Sequence, residues 1–201
     1  MTRAARLRLV AVLSLAAAFA SDAAVLALRD LPQWHLDIES AMDAIGLEPG
    51  MAVGEAGAGD GYFTLPMAKR VGKAGTVYAN DINRRALASL EARAKGDGLA
   101  NVRTVVGEVD DPLFPRQDLD LIVVVHAFHD FDRPVEWLVN TKKYLRPGAA
   151  VAIIDLDPEK GAESHFWSRS RIAGYAGKAG YVLSKAADGN PEHLILLFTP
   201  K

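Results

Sequence analysis

The chain has 201 residues, half of them hydrophobic and about a quarter charged, with a formal net charge of −2 and no cysteine. This composition is typical of one globular domain that can bury a full α/β core, without low-complexity tracts or internal repeats. The absence of cysteine excludes thiol nucleophiles, thiolate zinc sites and disulfides.

The first twenty residues have the layout of a secretory signal peptide. Arg3, Arg6 and Arg8 precede an apolar run over residues 9–20 that ends in Ala-Phe-Ala. A basic segment, a short apolar segment and an Ala-x-Ala site predict cleavage after residue 20. The run is too short to span a bilayer comfortably. The alternative is a retained N-terminal helix packed on the domain.

Cleavage would leave a single domain over residues 21–201 and direct it to the periplasm or the medium, whereas a retained segment would keep it cytoplasmic. The shortened chain has 20 basic and 25 acidic residues, a net charge of −5, and no cluster of Lys and Arg. We therefore expect no nucleic-acid partner and no stable membrane insertion.

Hydrophobic periodicity predicts helices and strands in strict alternation after residue 37. The predicted helices cover residues 38–45, 62–71, 83–95, 134–145 and 165–178. The predicted strands cover residues 51–54, 76–80, 102–106, 119–125, 149–155, 181–186 and 193–199. The last two are joined by a segment too short for a crossover helix, so they must pair antiparallel as a hairpin.

A glycine cluster, Val-Gly-Glu-Ala-Gly-Ala-Gly-Asp-Gly-Tyr-Phe-Thr over residues 53–64, ends one predicted strand and opens a helix. An acidic residue, Asp81, ends the next strand, where a carboxylate can accept hydrogen bonds from both ribose hydroxyls. This arrangement predicts a nucleoside site. A dinucleotide fingerprint requires a third glycine where this chain has Tyr62, which disfavours a nicotinamide cofactor.

Four segments in the same order resemble the class I S-adenosylmethionine-dependent methyltransferases. They are residues 49–64, 75–82, 101–112 and 145–155. The resemblance implies an α/β fold, a three-layer Rossmann-like sandwich with a seven-stranded, mostly parallel sheet and an antiparallel C-terminal hairpin. It also implies S-adenosylmethionine as the cofactor.

The resemblance carries cofactor-binding roles to particular positions. Glu55 would orient the methionine ammonium as an ionised carboxylate, and Asp81 would bind the ribose unless it only caps the next helix. Glu108 would approach the adenine amino group, with a solvated loop acid as the alternative, and Val109 would pack on the ring. The full implied set is Glu55, Gly57, Ala58, Gly59, Gly61, Asp81, Ile82, Glu108 and Val109.

The loop after the fourth strand, residues 126–132, is rich in histidine, aromatic and acidic residues. His126 and His129 are candidate general bases because imidazole titrates near neutral pH. The alternatives are an aromatic wall with a structural histidine and, more weakly, a metal site that includes Asp130. We predict no metal.

These observations predict a methyltransferase that uses S-adenosylmethionine and acts on a small-molecule acceptor, with no indication of whether O, N or C accepts the methyl group. Because the cofactor supplies the reactive electrophile, the protein has to align the acceptor and exclude water. The alternatives are an exported nucleoside-binding module without transfer activity and a nicotinamide-dependent oxidoreductase. The sequence does not predict the oligomeric state.

Overall fold

A computed structural model describes residues 36–162, 164–188 and 192–201, and in it seven strands form one mixed sheet. The strands are β1 (Ala52–Ala56), β2 (Thr76–Asp81), β3 (Val102–Val106), β4 (Leu119–Val125), β5 (Leu145–Leu156), β6 (Tyr181–Asp188) and β7 (His193–Pro200). The α-helices are α1 (Ile38–Ala44), α2 (Thr64–Val71), α3 (Arg84–Gly96), α4 (Pro134–Thr141) and α5 (Arg169–Lys178). Short 3-10 turns cover Phe128–Asp130, Lys142–Tyr144 and Pro158–Lys160.

The strand order is β3-β2-β1-β4-β5-β7-β6. The first five strands are parallel, and β7 lies antiparallel between β5 and β6. The order reverses between β1 and β4, and the carboxyl ends of these strands therefore border the crevice where open α/β sheets bind ligands. The predicted fold class, including the antiparallel C-terminal hairpin, is confirmed.

Helices cover both faces of the sheet, which makes the three layers. On one face, Met42 of α1 and Met67 of α2 pack against alternate residues of the central strands. On the other face, Trp137 of α4 and Ile172 of α5 pack against the strand residues that point to that side. Six of the seven residues of β4 are buried, as expected of a parallel strand covered on both sides.

The largest differences from the predicted boundaries follow from local chain chemistry. The helix predicted over 165–178 begins only at Arg169, because Ser168 accepts the N–H of Arg171 and caps it there. The helix predicted over 134–145 tightens after Thr141 into a 3-10 turn. Strand β5 starts at Leu145, four residues before the predicted start at residue 149.

The predicted signal peptide and its cleavage site lie outside the described residues. Within the described part of the chain, no helix has both the length and the apolar character needed to cross a bilayer.

Candidate functional site

The glycine loop after β1 has two glycines in close contact with neighbouring elements and one that borders open space. A Cβ on Gly57 would lie 2.5 Å from the Cβ of Ala127, and a Cβ on Gly61 would lie 2.3 Å from Leu90 of α3. Gly59 has a φ of +53° and no atom within 4 Å of its Cβ position. The loop is therefore packed tightly at both ends and leaves room for a ligand at Gly59.

Two hydrogen bonds join the glycine loop to β2. The N–H of Ala58 donates to the carbonyl of Asn80 at 3.0 Å, and the N–H of Gly59 donates to Asp81 Oδ2 at 2.9 Å. The other oxygen of Asp81, Oδ1, accepts the N–H of Asn83 at 2.8 Å. Each carboxylate oxygen has two lone pairs, so both can accept a further hydrogen bond from a ligand hydroxyl.

Helix capping was the alternative role predicted for Asp81, but another residue caps the helix that follows it. Asn83 is the N-cap of α3, and its side-chain oxygen accepts the N–H groups of Arg85 and Ala86. The carboxylate of Asp81 instead holds the glycine loop and the turn before the helix.

One cavity of about 100 Å³ brings together five residues predicted to bind the cofactor. This volume is below the several hundred Å³ that enclose a whole drug-sized ligand, so the cavity has room for only part of such a molecule. Ile82 is 62 % exposed and Val109 is 44 % exposed, so both present apolar surface at this cavity. The lining residues are Gly57, Asn80, Asp81, Ile82, Glu108, Val109, Asp130, Phe131, Asp132 and Trp137.

Asn80, which was not predicted from the sequence to be a site residue, fixes the loop that carries Glu108 and Val109. Its buried amide donates to the carbonyl of Val105 at 3.2 Å and to that of Pro112 at 2.7 Å. A Cβ on Gly107 would lie only 2.3 Å from Asn80 Nδ2, so the loop backbone passes directly over this amide. A polar residue near the end of an otherwise apolar strand is the signal that could have indicated this role.

Glu55 does not lie at an open strand tip; its side chain is buried and accepts a hydrogen bond from the hydroxyl of Thr64. Burial raises the pKa of Glu55 to about 8, against the effect of the Thr64 hydrogen bond, and the negative charge of Asp81 adds to the rise. A carboxyl with this pKa is protonated at neutral pH, in contrast to the ionised form expected from the sequence. A nearby cation would favour its ionisation.

The negative charge of Asp60, in the same loop, is balanced by α3. Arg93 Nη1 donates to Asp60 Oδ2 at 2.8 Å and to the Asp60 carbonyl at 2.7 Å.

His126 follows β4 in a left-handed backbone conformation, with a φ of +49°. This conformation is strained for a residue with a Cβ. Its Nε2 lies 2.9 Å from Nε2 of the buried His193 at the start of β7, and its ring stacks at 6.4 Å on Tyr62 of the glycine loop. Burial lowers the pKa of His126, Asp155 opposes this, and His129 lowers the pKa further. A lowered pKa favours the neutral imidazole, and the Nε2 atom of His126 is engaged by His193.

His129 lies in the 3-10 turn that follows β4 and contacts the end of β5. Its Nδ1 is 2.8 and 3.1 Å from the two carboxylate oxygens of Asp155, which is completely buried. The ring of Phe166 meets that of His129 edge to face at 4.5 Å. Neither Asp155 nor His193 was singled out from the sequence, because nothing local shows that β5 ends and β7 begins beside the loop after β4.

Among residues 36–162, 164–188 and 192–201, the structure contains no group of three or more His, Cys, Asp or Glu side chains that could hold a metal ion.

Comparison with known proteins identifies related sequences and structures. A family model described as "Methyltransferase domain" matches residues 53–148. The nocamycin O-methyltransferase of Saccharothrix syringae is 33 % identical over 112 residues, which are 56 % of this chain and 40 % of the relative. The ubiquinone/menaquinone biosynthesis C-methyltransferase UbiE of Hydrogenovibrio crunogenus is 26 % identical over 116 residues, 57 % of this chain and 46 % of the relative. The chain thus spans less than half the length of these two relatives.

The fold has a match in a crystal structure of a SAM-dependent methyltransferase from Aquifex aeolicus. The TM-score is 0.75 at 24 % sequence identity, over 81 % of this chain and 89 % of that chain. The matched domain begins in β1 and extends into β5, so it includes the glycine loop, Asp81 and the loop of Glu108. These findings support S-adenosylmethionine as the cofactor and a methyltransferase enzyme. Over residues 53–148 the chain is similar to the methyltransferase domain family, and its fold is that of the class I S-adenosylmethionine-dependent methyltransferases.

Proposed function

We propose that this protein transfers a methyl group from S-adenosylmethionine to a small-molecule acceptor held beside the carboxyl ends of β4 and β5. The observation that carries the proposal is the convergence of Gly57, Asp81, Ile82, Glu108 and Val109 on one cavity. These residues come from three separate loops, and the sheet topology brings them together at the strand-order reversal.

The cavity fits the adenosine part of the cofactor. Ile82 and Val109 are apolar side chains left exposed there, and they would pack on the two faces of a flat base. Asp81 would accept the ribose hydroxyls with the lone pairs that Gly59 and Asn83 leave free. Glu108 would accept from the adenine amino group.

The methionine part would extend along the glycine loop from Gly57 to Gly61. The position above Gly59 is open, and Glu55 lies below the loop as a buried carboxyl that a nearby ammonium would ionise. When bound, the cofactor supplies a methyl group on a positively charged sulfur, and the chain itself has to bind, orient and exclude water.

A small-molecule acceptor is supported by two features. The connections between the elements are short in the described part of the chain, so no large accessory surface is present there for a macromolecule. The names of the two relatives refer to methylation of nocamycin and to ubiquinone/menaquinone biosynthesis. A module that binds the nucleoside without transfer is the main alternative, and a nicotinamide enzyme is disfavoured by Tyr62.

We further propose that the mature protein is exported, on the basis of the basic and apolar segments that precede residue 21. S-adenosylmethionine would then have to reach the compartment in which the mature protein works.

Binding and transfer are tested separately. Titration of the purified chain with S-adenosylhomocysteine establishes cofactor binding, and transfer of label from S-[methyl-³H]adenosylmethionine to small acceptors establishes activity. Binding without transfer to any of a broad set of hydroxyl, amine and carbon acceptors would favour the binding module. Absence of binding would contradict the proposed function altogether.

A further inference from the structure

The loop after β3, residues 107–113, carries two residues of the proposed adenine site on exposed side chains. Glu108 and Val109 both line the cavity proposed for adenosine. Because an exposed loop is not fixed by its own burial, its conformation depends on the contacts that its other residues make. Asp110 and Asp111, which do not line this cavity, provide such contacts.

Asp111 is held by the short turn that follows α4. Its carboxylate accepts hydrogen bonds from Tyr144 Oη at 2.6 Å, from the ammonium of Lys143 and from the N–H of Leu113 at 3.0 Å. Burial raises the pKa of Asp111, but these hydrogen bonds outweigh it, and the net pKa lies below the ordinary value. The Asp111 carbonyl accepts the N–H of Glu108 at 2.8 Å. The ionised Asp111 therefore connects this turn directly to Glu108.

Asp110 joins the same loop to α4 and to the residue before it. The Asp110 carbonyl accepts the side-chain amide N–H of Asn140 at 2.8 Å, and the carboxylate accepts Arg133 Nη1 at 2.8 Å. Arg133 directly follows residues 130–132, which also line the cavity. Trp137, one turn before Asn140 on α4, lines it as well. The ion pair of Asp110 and Arg133 therefore ties together two loops that border the cavity.

We propose that Asp110 and Asp111 are positioning residues that hold Glu108 and Val109 in place for the base of the cofactor. They would set the selectivity of the site for adenine without touching the base. This inference rests on the proposed function, and it names the residues that pre-organise the loop which contacts the cofactor.

Selectivity for adenine depends on how well the carboxylate of Glu108 is placed. The amino group of adenine donates hydrogen bonds, whereas the oxygen at the same position of hypoxanthine only accepts them and would face a carboxylate that also only accepts. A carboxylate held at hydrogen-bonding distance therefore favours adenine. A carboxylate that is free to turn towards water loses most of this preference, because water satisfies it equally well.

Titration calorimetry with two compounds tests the positioning role. They are S-adenosylhomocysteine and S-inosylhomocysteine, in which an oxygen replaces the adenine amino group. We expect the parent chain to bind the adenosyl compound about 10- to 100-fold more tightly, the range for a hydrogen bond to a charged acceptor.

The two aspartate variants should reduce this preference to different degrees. Asp111→Asn removes the charge that Lys143 and Tyr144 hold, so it should weaken binding of the adenosyl compound about 10-fold while binding of the inosyl compound changes little. Asp110→Asn keeps the backbone bond to Asn140 and loses only an exposed ion pair, so its effect should be roughly 2- to 5-fold. Thermal melts establish that each variant is folded.

A charge swap and a matched control complete the design. Asp110→Arg and Arg133→Asp each place like charges together and should lower the preference, whereas the double variant should restore it. Asp118→Asn is the control, because Asp118 lies in the same connection between β3 and β4, pairs with Arg116 Nε at 2.6 Å and does not line the cavity. It should leave both dissociation constants unchanged.

Several results would overturn the inference while leaving the proposed function intact. They are a parent chain that binds both compounds equally, a preference that is unchanged in both Asp110→Asn and Asp111→Asn, an equal loss in Asp118→Asn, and a parallel weakening of both compounds, which would indicate a role in folding alone. A parent chain that binds neither compound would instead contradict the proposed function itself.

Discussion

The N–H of Gly59 donates to Asp81 Oδ2 at 2.9 Å, so the carboxylate at the end of β2 holds the glycine loop that follows β1. One residue therefore shapes the proposed cofactor site and would also bind the ribose.

Replacing Asp81 should separate these two roles. Asp81→Ala would remove the two proposed hydrogen bonds to ribose hydroxyls, each worth roughly 1.5 to 3 kcal/mol and rarely additive. We therefore expect S-adenosylhomocysteine binding to weaken by about 2 to 4 kcal/mol, or roughly 30- to 1,000-fold. Loss of the Gly59 bond should also cost about 1 to 3 kcal/mol of stability. Titration calorimetry and thermal melts measure the two effects.

Two further variants serve as controls for this result. Asp81→Asn keeps an oxygen that can accept the Gly59 N–H, so it should be more stable than Asp81→Ala while still binding the ribose less well. His129→Ala should change cofactor affinity much less than Asp81→Ala, because His129 does not line the cavity of Asp81 and Val109. A folded Asp81→Ala protein that binds like the parent would remove the ribose assignment.

Glu55 should make the free energy of unfolding fall as the pH rises, because its pKa is higher in the folded chain than in the unfolded chain. Its pKa is about 8 in the folded chain, against 4.5 as the ordinary value, so the unfolded chain loses this proton first. The contribution is fully present below pH 4.5 and is lost as the pH rises through about 8. We expect Glu55→Gln to match the parent in stability near pH 4.5 and to exceed it at pH 8 in denaturant titrations. A constant difference across this range would be inconsistent with a buried, protonated Glu55.

Cofactor binding should release a proton from Glu55. An ammonium beside this carboxyl favours its ionised form, so at pH 7 complex formation would convert the protonated group to a carboxylate. Calorimetry of S-adenosylmethionine binding in two buffers with different ionisation enthalpies measures the number of protons released. We expect release in the parent and none in Glu55→Gln. Heats that are independent of the buffer in both proteins would place the ammonium elsewhere.

The fold could be predicted from the sequence because its signals are local and repeated. The apolar run of β4, the alternation of helices and strands, and the short link between β6 and β7 each limit the topology. The residues predicted to bind the cofactor could be proposed for the same reason, since Gly57 directly follows β1 and Asp81 ends β2.

The contacts of His126 and His129 join segments that are distant in the sequence. Asp155 meets His129 only because β5 lies beside β4, and His193 meets His126 only because β7 inserts antiparallel at the neighbouring position. The protonated state of Glu55 also depends on burial beneath α2, where Thr64 lies, and sequence position does not reveal burial of that degree. Tertiary environment decides these properties.

Export can be tested on protein recovered from the native host. The basic and apolar segments predict that the mature chain begins at or near Ser21. Intact-mass spectrometry of the periplasmic and secreted fractions should show this shortened chain. Recovery of only the full-length chain, in the cytosolic fraction, would contradict export.

The central claim is that the glycine loop and Asp81 bind S-adenosylmethionine. The most direct measurement is titration calorimetry of the purified chain with S-adenosylmethionine, S-adenosylhomocysteine and NAD under the same conditions. We expect the first two to bind and NAD to show no measurable binding, because Tyr62 replaces the third glycine of a dinucleotide loop. Tighter binding of NAD than of S-adenosylhomocysteine would contradict the claim.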